Sequence, residues 1–235
     1  MNITFIIKTF KRPACVKRLV DSIKKYYPNN EILICNDDET KLEIAGTTVF
    51  NTDYDIGLSA GRNMLVDKVK TKYLVLLDDD FFFTEETKIE LLKKHLEDND
   101  LDMVGGAIRQ PDGSMLHYEG AYMYEDKYLR MVEGNGKYDF ILNFFIAKTD
   151  VLKKYRWDDE LKLAEHTAFF FKHRGKIKIG LEEKVIVEHK QVQSKDYMKY
   201  RKRANKYIYI FMKKYNIDKI RNINNVTYLI EDYYA

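Results

Sequence analysis

Several classes of residue that staple, break or submerge a chain are scarce here. Two cysteines, Cys15 and Cys35, among 235 residues are too few for a disulfide framework or a zinc site, which favours a reducing compartment. Three prolines beside 45% hydrophobic residues describe a folded globular chain, and no low-complexity linker or internal repeat divides it. No run of about 18 apolar residues occurs, and no signal-peptide pattern precedes the first strand, so the reading is a soluble, cytoplasmic protein. An excess of one sign of charge is missing too. Forty basic residues against 37 acidic ones leave +3, too little to point to a nucleic-acid partner.

What is present is aromatic and locally acidic. Eighteen tyrosines and 13 phenylalanines suit sugar rings and bases as well as a core. The run Tyr73-Leu74-Val75-Leu76-Leu77 ends in Asp78-Asp79-Asp80, which reads as a buried strand of a largely parallel sheet terminating in three carboxylates. Ligands of open α/β sheets gather at such carboxyl ends. Three adjacent acids repel one another and resist desolvation unless a hard divalent ion or hydrogen-bond donors offset them. In an extended segment Asp78 and Asp80 share a face and Asp79 points away. A helix cap at Thr84 would use one polar group and leave the acids unexplained.

Apolar strands are expected at 2–8, 31–36, 47–50, 73–78 and 102–108, with helices at 13–27, from the Gly57–Asn63 loop to about Lys70, and at 85–98. This alternation predicts a doubly wound α/β half. Residues 109–140 carry spaced glycines and alternating segments such as Met115–Tyr124, which predict antiparallel strands and loops. A strand at 143–148, helices at 150–155 and 163–171, and one or two strands at 176–187 follow, closing on Glu188-His189. The expected organisation is one domain over 1–193, with a nucleotide-binding half at 1–108 and an acceptor half at 109–193, followed by a basic helical extension at 194–235. Between Lys195 and Arg221 the Lys and Arg residues interleave with Tyr, Ile, Phe and Met. That pattern fits peripheral contact with an anionic membrane or a helix packing an aromatic stripe on the core.

The order of these parts resembles the GT-A glycosyltransferases of the family 2 type: a strand into Thr9-Phe10-Lys11-Arg12-Pro13, an acidic second strand end, the Gly57–Asn63 loop and an Asp-x-Asp motif at Asp78 and Asp80. More narrowly, Val75–Thr84, Val104–Arg109, Asn143–Asp150 and His166–Phe170 resemble the catalytic domain of ganglioside-type β-1,4-N-acetylgalactosaminyltransferases. The resemblance implies a mostly parallel central sheet flanked by helices with a smaller antiparallel acceptor-side part. It also implies inverting transfer of a hexose or N-acetylhexosamine from a UDP-sugar to a glycan or glycolipid.

Site assignments follow from residue chemistry and from this resemblance. Mn²⁺ or Mg²⁺ suits oxygen ligands, with Asp80 as the leading ligand, Asp78 on the ion or the donor ribose, and His189 as a third ligand. Asp79 supports the donor side. Thr9 and Arg12 face base, ribose or phosphates; Asp37 and Asp38 stand where an acid accepts the N3–H of uracil; Gly57 permits a tight loop; and Arg62 offers a planar fork to a diphosphate. The resemblance expects an acidic pair where this chain has Glu165-His166, so either residue stands as the base, with Glu165 favoured. Trp157 and Asp158 are expected in the acceptor subsite. The alternatives are a nucleotidyltransferase, which would need more converging acids, and a non-catalytic nucleotide-sugar or glycan-binding module, which the metal carboxylates disfavour and the departure at Glu165-His166 keeps open.

Overall fold

All seven residues of the first strand, β1 (Ile3–Thr9), are buried, as an apolar run requires when both faces of a sheet are covered. α1 (Pro13–Tyr26) starts on a proline whose missing N–H costs no helical bond at that position, and it buries Val16, Leu19, Val20 and Ile23 as one stripe. β2 (Glu31–Asn36), β3 (Thr48–Asn51), α2 (Leu58–Lys68) and β4 (Tyr73–Asp78) follow. The computed structural model describes residues 2–134, 136–190, 192 and 194–233.

These strands pair in parallel in the order β3-β2-β1-β4. Lys8 lies beside Asp78 and Thr9 beside Asn36, so the carboxyl ends of β1, β2 and β4 finish level. The three acids emerge from that edge.

The chain continues through β5 (Phe81–Phe82), α3 (Ile89–Asp98), β6 (Met103–Arg109), β7 (Met115–Leu116), β8 (Ala121–Glu125), β9 (Tyr128–Val132), β10 (Phe145–Lys148), α4 (Thr149–Lys154), α5 (Glu165–His173) and β11 (Ile179–His189). β10 inserts antiparallel between β4 and β6, and β11 runs parallel to β6. β5 turns back along the end of β11 with Phe81 opposite His189, which carries the imidazole to the acid run. Close approach matters at Gly106, where a Cβ would lie 2.4 Å from the Phe144 ring and 2.7 Å from the Val185 carbonyl oxygen. The mostly parallel sheet, flanked by helices and joined by a smaller antiparallel part, is the architecture expected from the sequence.

Some elements differ from expectation. The helix predicted from 85 begins at Ile89, because Thr84 and Thr87 close a turn in which the Thr84 N–H donates to Thr87 Oγ1 at 3.0 Å. The segment Met115–Tyr124 is divided between β7 and β8. The basic helix predicted through Arg221 is broken into α6 (Lys195–Arg201) and α7 (Ala204–Lys214), after which β12 (Lys219–Arg221) and β13 (Thr227–Leu229) form. β12 pairs in parallel with β9, giving a second sheet in the order β13-β12-β9-β8. α7 buries Tyr207, Phe211 and Met212 in a cluster with Phe10, Leu129, Leu161 and Phe171, so its aromatic stripe packs on the core. The boundary expected at 193 falls on a residue outside those described. Among the described residues no helix is long and apolar enough to cross a membrane.

Candidate active site

The three acids at the end of β4 have three different surroundings. Asp78, with a third of its side chain exposed, accepts from Arg62 Nη2 at 3.1 Å and from Asn143 Nδ2 at 3.3 Å. Asp79 is buried beneath it, accepting from Thr9 Oγ1 at 2.6 Å and pairing with the Arg12 guanidinium. Asp80 accepts from Arg12 Nη1 at 2.6 Å and lies 3.2 Å from His189 Nε2, whose Nδ1 is 3.0 Å from Gln110 Oε1. Burial pushes the carboxyls of Asp78 and Asp79 up against the pull of Arg62 and Arg12 respectively. At Asp80 burial acts the same way, but His189 and Arg12 prevail and hold it below the usual carboxylate range.

Arg62 ties this strand end to α5. Its helix, α2, starts at Gly57, which has φ +93° and donates its N–H to Asp37 Oδ2 at 3.0 Å. A Cβ there would stand 2.6 Å from Lys162 Cβ, so the loop passes directly beneath the chain leading to α5. Arg62 is then buried between two carboxylates, donating to Asp78 and, through Nη1 at 2.5 Å, to Glu165 Oε1. Glu165 opens α5 after Ala164 turns the backbone through the left-handed region, φ 57°. His166 Nε2 lies 2.6 Å from the Ile141 carbonyl oxygen, an acceptor, so Nε2 carries the proton. Burial, helped by the nearby Arg62 charge, lowers the His166 pKa to about 3.

One cavity of about 470 Å³ collects Arg12, Arg62, Asp78, Glu165, His166 and His189 in its wall. Asp80 reaches it through Arg12 and His189, and Thr9 and Asp79 form the layer behind. The remaining expected residues stand elsewhere. Asp37 is buried and ion-paired with Lys8, and its Oδ2 accepts the Gly57 N–H. Asp38, half-buried, accepts the Glu39 N–H at 2.8 Å in a local turn. Gly57 acts through loop geometry. Trp157 is a core residue stacked on Phe169 with ring centroids 4.6 Å apart, and Asp158 pairs with Lys214 at 2.7 Å. Neither of these two lines the cavity.

Three neighbours were not foreseen. Lys8 is a lone cation in an apolar strand, and Asn143 a lone amide before β10; such isolated polar residues are the signal that marks them. Tyr197, which lies under Arg12 with the guanidinium 4.1 Å from its ring centroid, comes from α6, and nothing local distinguishes it from the other tyrosines.

The donor set can be compared with what a hard divalent ion needs. Asp80 receives Arg12 and His189 on the same oxygen, Oδ2, whereas Asp78 has Arg62 on Oδ1 and Asn143 on Oδ2. Among the described residues no group of three or more His, Cys, Asp or Glu side chains is arranged to hold a metal. Two protein ligands with substrate phosphates and waters completing the shell is a normal arrangement for such ions. Asp80 and His189 fit that pattern.

The cavity lies at the carboxyl ends of a doubly wound sheet, where ligands of open α/β sheets gather, and arginines and carboxylates share its wall. Residues 4–156 match the Glycosyl transferase family 2 pattern, and the chain belongs to that family. It is 33% identical to the Beta-1,4 N-acetylgalactosaminyltransferase 2 of Mus musculus, over 88% of this chain and 44% of that protein. It is 32% identical to the Beta-1,4 N-acetylgalactosaminyltransferase 1 of Homo sapiens, over 80% of this chain and 38% of the relative. The chain thus spans less than half the length of these curated relatives. The crystal structure of S. aureus TarS 1-349 in complex with UDP-GlcNAc superposes with a TM-score of 0.67 at 14% identity, covering 90% of this chain and 65% of that one. The GT-A fold is therefore shared.

Proposed function

We propose that this chain transfers a hexose or N-acetylhexosamine from a UDP-sugar to a hydroxyl of a glycan or glycolipid, with inversion at the anomeric carbon. The observation that supports the reading is Arg62, which pairs with the strand-end Asp78 through Nη2 and with the helix-start Glu165 through Nη1. In this reading it joins the phosphate side of the site to the base. The acceptor oxygen bonds to the anomeric carbon as the bond to the UDP oxygen breaks, and the hydroxyl proton passes to Glu165. His166 is a poor rival as base, since its Nε2 proton is held by Ile141 and burial keeps its basicity low. Arg12 and Arg62 are the cations placed to meet the diphosphate.

Enzymes of this fold commonly use a divalent ion. Here Asp80 and His189 would hold Mn²⁺ or Mg²⁺, with Asp78 beside them. When bound, such an ion supplies Lewis-acid stabilisation of the departing UDP. The exposed Lys195 and Lys199 of α6 support the further reading of a cytoplasmic enzyme in peripheral contact with an anionic membrane surface.

The test is a screen of UDP-sugars for UDP release with Mn²⁺, Mg²⁺ or chelator, with and without candidate acceptors. Release that depends on the ion and the acceptor supports the reading. Absence of UDP-sugar binding overturns it, and Asp80→Asn that keeps ion-dependent binding removes Asp80 from its role.

A further inference from the structure

The end of β11 is braced by more than its strand pairing. Where the parallel pairing of β6 with β11 finishes, Glu188 lies beside Arg109, so the next residues, His189 and Gln110, emerge together at the carboxyl edge. The imidazole then has three neighbours. The Phe81 ring meets it edge-on with centroids 6.0 Å apart, Asp80 Oδ2 lies 3.2 Å from Nε2, and Gln110 Oε1 lies 3.0 Å from Nδ1.

Gln110 is itself held through its main chain. Its N–H donates to the Ser114 carbonyl at 2.7 Å and its own carbonyl accepts the Gly113 N–H at 2.9 Å, which closes the turn between β6 and β7. Ser114 is fixed in turn by Asp112 Oδ1, which accepts from its N–H at 2.9 Å and its hydroxyl at 2.6 Å. On the other side of the ring the Lys190 N–H donates to the Asp80 carbonyl at 2.7 Å, and the Arg18 guanidinium donates to the Lys190 carbonyl. Main-chain bonds thus place both residues. What the Gln110 side chain adds is a constraint on the imidazole.

An amide oxygen only accepts, so the Nδ1 bonded to it carries a proton. A neutral ring has one proton for two nitrogens, and with that proton on Nδ1 the lone pair is left on Nε2, the atom that faces Asp80. Without Gln110 the carboxylate is the stronger acceptor within reach. It would draw the proton to Nε2 and leave no lone pair there for an ion.

We infer that Gln110 is a positioning residue for His189: it holds the Nδ1 proton and thereby presents Nε2 as the nitrogen that ligates a divalent ion. The inference rests on the proposed ion site and assigns the ligating atom within it.

Two variants separate the acceptor from its shape. Gln110→Met keeps the length and removes the oxygen, whereas Gln110→Glu supplies one again. Mn²⁺ titration followed by electron paramagnetic resonance, with UDP saturating, should give a Kd about tenfold or more weaker for Gln110→Met and within about threefold of the wild type for Gln110→Glu. UDP affinity in chelator should be the same in all three. Two-bond ¹H–¹⁵N correlation spectra of the metal-free wild type, at a pH where the ring is neutral and with His189→Asn identifying the signals, should show the proton on Nδ1. An Nε2–H ring in the wild type would overturn the inference. So would Gln110→Met that binds Mn²⁺ like the wild type while His189→Asn does not, or Gln110→Glu as impaired as Gln110→Met. A wild-type protein that takes up no Mn²⁺ with UDP, or His189→Asn that binds it unchanged, is a separate result: it would overturn the proposed ion site, and with it the role of Gln110, even with the proton on Nδ1.

Discussion

Arg12 donates to Asp80 at 2.6 Å while its guanidinium rests 4.1 Å from the ring centroid of Tyr197. One side chain from the turn after β1 therefore links the acid run to α6. It also offsets the charge of the carboxylate proposed to hold a divalent ion.

Arg12→Ala should destabilise the protein in chelator, because Asp79 and Asp80 then share a buried site without their main counter-charge. Breaking such a pair costs about 3 kcal/mol, a fall of roughly 6–12 °C in Tm for a chain of this length. Thermal unfolding checks this, and millimolar Mn²⁺ should restore part of the loss. A variant that melts with the wild type in chelator would show that Arg12 carries no such burden.

Glu165→Gln should leave UDP affinity within about threefold yet lower kcat by about 10² or more, the usual range for losing a general base. His166→Gln, able to keep a donor on the Ile141 carbonyl, should lower kcat only a few-fold on the same scale. Steady-state kinetics on both variants decides between them. Equal losses would mean that the pair acts together.

His166 predicts an acid limb in stability. Its folded pKa, about 3, lies below the ordinary value of about 6.5 reached on unfolding, so the unfolded chain binds the extra proton. The stability it confers is complete above pH 6.5 or so and declines as pH falls toward 3, by about 1.4 kcal/mol per unit. Urea unfolding between pH 7 and 4 should be less pH-dependent in His166→Gln than in the wild type. Parallel curves would refute the assignment.

Gly57→Ala should cost about 3 kcal/mol, combining a positive φ with a Cβ driven into Lys162. Because Gly57 starts the helix that carries Arg62, the Kd for UDP should rise as the urea midpoint falls.

Trp157→Phe should lower stability and leave acceptor KM unchanged, since Trp157 stacks on Phe169 in the core. A selective rise in acceptor KM would return it to the acceptor subsite.

Much of the first 108 residues was legible because the signals there are local. An apolar run such as Val75-Leu76-Leu77 can be covered only on two faces, and Pro13 marks a helix start by its own geometry. The alternation expected to set Asp78 and Asp80 on one face stops short, because β4 ends at Asp78; Asp79 and Asp80 lie in the turn that follows and share the Arg12 guanidinium. What failed was pairing across long separations. Asp37 looks free in the sequence, yet Lys8 on the adjacent strand takes it; Trp157 looks like a sugar platform until Phe169 covers it. β12 has three residues and no pattern of its own, and it exists because β9 offers an edge to pair with.

That pairing is one of several long closures on which the cavity waits. Lys219 must meet Tyr128, about ninety residues earlier, and closing so large a loop is entropically costly. The charged end is no quicker, since Arg62 must find Glu165 across 103 positions. During refolding, UDP binding should therefore return only with the last long-range contacts, well after the parallel strands have paired.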